Sequence, residues 1–152
     1  MLVYLVRHGD AVLEAAALSD ESRYLSAEGR GEARGIGATL ASMGVIPETI
    51  LSSPLVRAVQ TAELIAAACA PDRLVAVLEE LAPSGSVRAA AARLAAYSNV
   101  LAVGHEPSIS GLAAALTGRN DFPAFRKGQV VLIEQGAPRW LLLPGDAQPR
   151  AC

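Results

Sequence analysis

Lysine is almost missing from this 152-residue chain: Lys127 is the single one among 13 basic residues, and the others are arginine. The formal net charge is −2 and no basic run occurs, which argues against non-specific nucleic-acid binding, because that depends on clustered Lys and Arg. A coding bias would also produce the arginine preference, so the preference by itself assigns nothing. Cysteine is scarce. Cys69 falls in an alanine-rich helical stretch, where a free thiol reads as a core residue, and Cys152 ends the chain. The pair offers neither a disulfide framework nor metal-ligand spacing. Only two histidines are present, so a structural zinc site is not expected, and neither a metal nor another cofactor is. Long apolar runs are lacking as well. Hydrophobic residues make up 52% of the chain, yet no charge-free stretch reaches the roughly 20 residues that span a membrane. The N-terminal M-L-V-Y-L-V-R places its positive charge after the apolar stretch, opposite to a secretory signal; it reads as a strand, with the cytoplasm as the default compartment.

What is present is a regular alternation. The length suits one domain over residues 1–152, with no linker, repeat or low-complexity segment. Leu2 to Val6 is a short run of β-formers that stops at Arg7-His8-Gly9, a buried strand entering a glycine turn. Residues 10 to 25 read as loop. Ser26 is a candidate N-cap for a helix whose buried face is Ala33, Ile36, Gly37 and Leu40, with Gly44 as its stop. Thr49 to Ser52 predicts a second strand. Pro54 is expected in the first turn of a second helix, whose stripe is Leu55, Ala58, Val59, Ala62, Ile65, Ala66 and Cys69. Leu74 to Leu78 and Val100 to Val103 predict strands three and four. Val87, Ala90, Ala91 and Leu94 mark a third helix, and Ile109, Leu112, Ala113 and Leu116 a fourth. Val130 to Ile133 and Trp140 to Leu143 read as a closing hairpin around Gly136. The expected fold is α/β: a mostly parallel sheet with an antiparallel edge between two helical layers.

In such sheets ligands bind beyond the carboxyl ends of the strands. Three predicted strands end there in polar residues: V-R7-H8-G9, S52-S53-P54-L55-V56-R57, and V-G104-H105-E106. Both histidines of the chain thus fall at strand ends beside glycines. Each taken alone, a histidine after a strand or an arginine in a first helical turn is ordinarily structural. Arg7 is harder to set aside, because charge at the end of an apolar strand needs a partner or a route to water. If the strands are parallel, all four side chains meet. Arg7 and Arg57 can fork onto the oxygens of an anion such as phosphate or sulfate. A neutral His8 can attack phosphorus, and His105 can stabilise charge in the transition state. Gly9 would let the backbone approach a ligand closely.

Together, V-R7-H8-G9, S52-S53-P54-L55-V56-R57-A58-V59-Q60-T61-A62 and V103-G104-H105-E106-P107, in that order and spacing, resemble the histidine phosphatase superfamily, also called phosphoglycerate mutase-like. The resemblance implies that fold, a phosphorylated His8, and a phosphate pocket completed by Arg7, Arg57 and His105. Short length, R-H-G-D-A at positions 7 to 11, E80-L81-A82-P83-S84-G85 and a tail with Trp140 and Pro144 look like the SixA-type phosphohistidine phosphatases. That implies a three-layer domain without a cap, since the stretch from Glu80 to Val100 is too short for one. It also implies a metal-independent hydrolase whose partner is a phosphohistidine-bearing protein, such as a phosphotransfer domain, with no role for nucleic acid or membrane. By the same resemblance Glu80 is the candidate general acid, with Asp10 as the other carboxylate in reach. Gly9, Asp10, Ser53 and Glu106 are expected to contact substrate; Ser52 and Ser53 could equally cap the second helix, and Glu106 could simply line the rim. Two other readings are open: a phosphatase or mutase for a small phosphorylated metabolite, and a phosphate-binding regulatory module without catalysis.

Overall fold

The computed structural model describes all residues, 1–152. Seven strands form one sheet in the order β3-β2-β4-β1-β5-β6-β7. They are β1 (Leu2–Arg7), β2 (Thr49–Ser52), β3 (Val75–Val77), β4 (Asn99–Gly104), β5 (Val130–Glu134), β6 (Ala137–Leu142) and β7 (Arg150–Ala151). The first four run parallel, β4 lying between β1 and β2, and β5 and β6 add the antiparallel edge. The helices are α1 (Ala27–Ser42), α2 (Val56–Cys69), α3 (Val87–Leu94) and α4 (Ser108–Thr117). No helix is long and apolar enough to cross a membrane. The segment between Glu80 and β4 contains only α3 and its turns, with no inserted lobe.

Strand alternation divides the core in two. Tyr4, Val6, Leu101 and Val103 face α1 and α2, while Val3, Leu5, Val100 and Ala102 face α3 and α4. β1 and β4 bury both faces, as central parallel strands do, and so read as continuous apolar runs. Truncating a fully buried side chain here, such as Leu101→Ala, is expected to cost about 2–5 kcal/mol.

The helix signals hold with small displacements. Ser26 caps α1, its hydroxyl accepting from the Gly29 amide at 3.0 Å, and Gly44 follows the helix at φ +72°. Gly37 has an independent reason: a Cβ there would lie 3.0 Å from the backbone of Ile65, so its absence lets α1 and α2 pack closely. Pro54 does not enter α2. The helix begins at Val56, and its N-cap, Leu55, has no side-chain cap, so neither Ser52 nor Ser53 caps it. Val59 is only half buried; Arg57 and Thr61 take the places of apolar residues on the buried face of α2. The hairpin turns at Gln135 and Gly136, both at positive φ (51° and 76°), the two-residue turn whose twist matches the strands. β7 carried no signal, because it is two residues long and exists only by pairing with β6.

Candidate active site

Register brings the three strand ends level. Arg7 pairs with Gly104, and Ser52 with Val103. The ladder continues one residue beyond: the His8 amide donates to the Gly104 carbonyl at 3.1 Å and the Ser53 amide to the Val103 carbonyl at 3.0 Å. His8, Ser53 and His105 therefore leave the sheet at the same height. The two imidazole rings lie 4.9 Å apart, centre to centre.

Both histidines are buried. His8 Nδ1 is 2.7 Å from the Gly9 carbonyl, an acceptor only, so Nδ1 carries the proton and Nε2 keeps its lone pair. Burial pushes the His8 pKa down from 6.5 to about 4, and the charges of Arg57, Arg7 and Arg23 act in the same direction. The ring is neutral at pH 7. His105 is pushed down to about 3, again chiefly by burial, then by His8 and Arg57. Its Nε2 lies 2.7 Å from Ser53 Oγ, while Ser53 Oγ also accepts from the Leu55 amide at 3.2 Å. A Ser53 hydroxyl that donates to Nε2 leaves the imidazole proton on Nδ1. That nitrogen is buried without a protein partner.

The arginines flank the rings. Arg7 Nη1 donates to the Phe125 carbonyl at 2.8 Å. Arg57, in the first turn of α2, donates through Nη1 to the Asp20 carbonyl at 2.8 Å and through Nη2 to Asp20 Oδ2 at 3.3 Å. Asp20 also pairs with Arg23 at 3.1 Å, and Arg23 chiefly, with Arg57, holds its carboxyl below the usual range. The Nε atoms of both Arg7 and Arg57 are buried and unpaired, like His105 Nδ1. Buried polar atoms are normally bonded, so these three nitrogens stand out as exceptions.

The other predicted residues divide. Ser53 joins the site through His105. The Gly9 amide donates to Thr61 Oγ1 at 3.1 Å, so it is not free for a ligand. The close approach occurs instead against α1, where a Cβ on Gly29 would sit 2.1 Å from the Asp10 carbonyl. Asp10 accepts from Lys127 Nζ at 2.8 Å and Ser26 Oγ at 2.7 Å, and Lys127, then Ser26, holds its carboxyl below the usual range. A general acid needs the opposite shift; Asp10 is arranged as an anchor for the loop after His8. Glu106 spends both oxygens on the Phe125 amide and the Ser110 hydroxyl. Glu80 lines a small apolar cavity together with Gly104 and His105, on the α3–α4 side, and lies 3.9 Å from Arg93. Gly85 supports that turn, since a Cβ there would meet the Glu80 carbonyl at 2.2 Å.

The sequence matches the histidine phosphatase superfamily (branch 1) over residues 3–85. The phosphohistidine phosphatase SixA of Escherichia coli (strain K12) is 33% identical over 154 residues, covering 95% of this chain and 94% of its own. The chain belongs to the histidine phosphatase superfamily. A structure of the protein histidine phosphatase SixA complexed with tungstate superposes with a TM-score of 0.86 at 31% identity, over 95% of this chain and 97% of that one. The alpha-ribazole phosphatase from Shigella flexneri shares the fold, with a TM-score of 0.71 at 22% identity over 95% and 96% of the two chains. As a member of this superfamily the protein is a phosphatase, a hydrolase of phosphoryl groups.

Beside these candidate residues stand others that composition and spacing did not single out. Asp20 and Arg23 come from the 10–25 loop, which has no periodicity to read. Phe125 and Lys127 come from the loop before β5. Thr61 had a signal: a hydroxyl on the apolar stripe of α2 is out of place unless bonded, and its Oγ1 donates to the Arg57 carbonyl at 2.7 Å while accepting from Gly9.

Proposed function

We propose that this phosphatase removes the phosphoryl group from a phosphohistidine on a phosphorelay protein, such as a phosphotransfer domain, through a covalent intermediate on His8. The observation that carries the reading is the state of His8: buried, neutral, its Nδ1 proton committed to the Gly9 carbonyl, so that Nε2 presents a lone pair. In the first step Nε2 attacks phosphorus and the bond to the substrate nitrogen breaks, leaving phospho-His8. In the second, water attacks the phosphorus, inorganic phosphate leaves and the imidazole is restored. Arg7, Arg57 and the Nδ1–H of His105 would hold the non-bridging oxygens, which matches the three unpaired nitrogens on those residues. A substrate phosphoimidazole that carries a proton on its other ring nitrogen leaves as neutral imidazole and makes little demand on a general acid, which agrees with Asp10 held ionised. Glu80, near His105 in the turn after β3, is the remaining candidate donor. The likeness to SixA over nearly the whole chain supports a protein-borne phosphohistidine over a small metabolite.

The test is phosphate release from a histidine-phosphorylated carrier protein, with wild type and His8→Ala compared in the presence of a chelator. Release by wild type alone is expected. Release by His8→Ala at more than a small fraction of the wild-type rate overturns the nucleophile. No release by wild type, with turnover on a panel of sugar phosphates, moves the substrate to the metabolite class.

A further inference from the structure

Glu106 stands one residue beyond His105, where a substrate contact was expected. A carboxylate there would repel a phosphoryl group, and this one is already occupied. Its Oε1 accepts from the Phe125 amide at 2.9 Å and its Oε2 from the Ser110 hydroxyl at 2.8 Å. Phe125 is the residue whose carbonyl receives Arg7 Nη1 at 2.8 Å. That is the single hydrogen bond of the Arg7 side chain to the protein, and no carboxylate pairs with it. The aim of the Arg7 guanidinium therefore depends on where the Phe125 carbonyl is held.

Phe125 lies in an irregular stretch between α4 and β5, without helix or strand to fix its peptide groups. Three contacts hold it. Its ring is buried at 1% exposure. The amide after it, on Arg126, donates to Gln129 Oε1 at 2.9 Å. Its own amide is held by Glu106. Gln129 is in turn joined to Arg7 through the backbone, its carbonyl accepting from the Arg7 amide at 3.1 Å. Glu106 is the charged member of this set, and a hydrogen bond to a carboxylate is worth about twice a neutral one.

We propose that Glu106 is a positioning residue for Arg7: by holding the Phe125 amide its carboxylate anchors the main chain at Phe125, and the Phe125 carbonyl, in the next peptide group, aims the Arg7 guanidinium at the phosphoryl oxygens. This rests on the reading of Arg7 as a phosphate ligand. It extends one side of the site to a carboxylate that touches no substrate.

The experiment is a double-mutant cycle read by tungstate binding in a calorimeter, which needs no knowledge of the substrate. Glu106→Ala is expected to weaken tungstate binding about tenfold in the otherwise wild-type protein, and by less than about twofold in an Arg7→Ala background. Glu106→Gln keeps an acceptor for the Phe125 amide and is expected to restore affinity to within about threefold. Thermal melts accompany each variant; if alanine prevents folding, Glu106→Asp, one methylene shorter, takes its place in the cycle. Equal losses in both backgrounds, or no loss in either, overturn the positioning role while leaving Arg7 as a ligand. A wild type that binds no tungstate, or an Arg7→Ala variant that binds it as well as wild type, overturns the phosphate-site reading and the inference with it.

Discussion

Because the fold buries His8 as a neutral ring, acid conditions should act against that burial in a way one variant can isolate. The His8 pKa is lowered from 6.5 to about 4, so between those values the unfolded chain takes up a proton that the folded chain refuses. The contribution to stability is full above pH 6.5 and is lost as pH falls toward the folded value. At pH 4.5 protonation favours an unfolded histidine far more than the folded His8, a net loss of about 2–3 kcal/mol relative to pH 8. His8→Gln removes this source. His105, lowered to about 3, stays neutral in both proteins over this range, and acid effects at carboxylates away from the site are common to the two, so both subtract out. Urea unfolding of wild type and His8→Gln at pH 8 and pH 4.5 measures the difference. Wild type should lose about 2–3 kcal/mol more than the variant across that interval, with unchanged m-values. Equal losses would mean that His8 is protonated near its ordinary pKa in the folded protein. The reading of His8 as a ring that burial keeps neutral would then fail.

Three further outcomes follow from the site. Ser53→Ala removes the hydroxyl bonded to His105 Nε2 and should lower kcat about 10- to 100-fold with little change in KM, as loss of one oxyanion donor does; a change in KM alone would refute the assignment. Gly29→Ala places a Cβ against the Asp10 carbonyl, so the loop after His8 must move; a loss of about 3 kcal/mol or more in urea unfolding is expected, and a neutral result would show that the loop gives way freely. Thr61→Val leaves the Gly9 amide and the Arg57 carbonyl without their shared hydroxyl and should cost about 1–3 kcal/mol of stability, measured in the same way; a change within about 0.5 kcal/mol would count against a buried, unsatisfied pair.

The sequence by itself determined the layered fold and where Arg7, His8, Arg57 and His105 stand in it. Central parallel strands must be apolar throughout, so β1 and β4 announce themselves as Leu2 to Val6 and Val100 to Val103. Where such a strand stops, the first polar residues lie at its end, and this makes Arg7, His8 and His105 visible in the linear order. Arg57 was legible through its place in the early turn of α2. Local rules also account for Ser26 as a cap and for the turn at Gly136, because both are decided within a few residues of chain.

Tertiary structure decided which side chains those four residues meet. Asp20 reaches Arg57 across 37 positions, Lys127 reaches Asp10 across 117, and Phe125 meets Arg7 across 118. None of these pairings has a period or spacing, since each depends on how an irregular loop folds back over the sheet. The same holds for the candidates whose roles are redrawn. Asp10 and Glu106 sit close to His8 and His105 in the chain, yet the nearest free donors, on Lys127, Ser26, Ser110 and the Phe125 amide, satisfy their carboxylates. Adjacency along the chain places a residue near the site; whether it faces the ligand depends on the hydrogen-bond partners that packing brings within about 3 Å, and those belong to the three-dimensional fold alone.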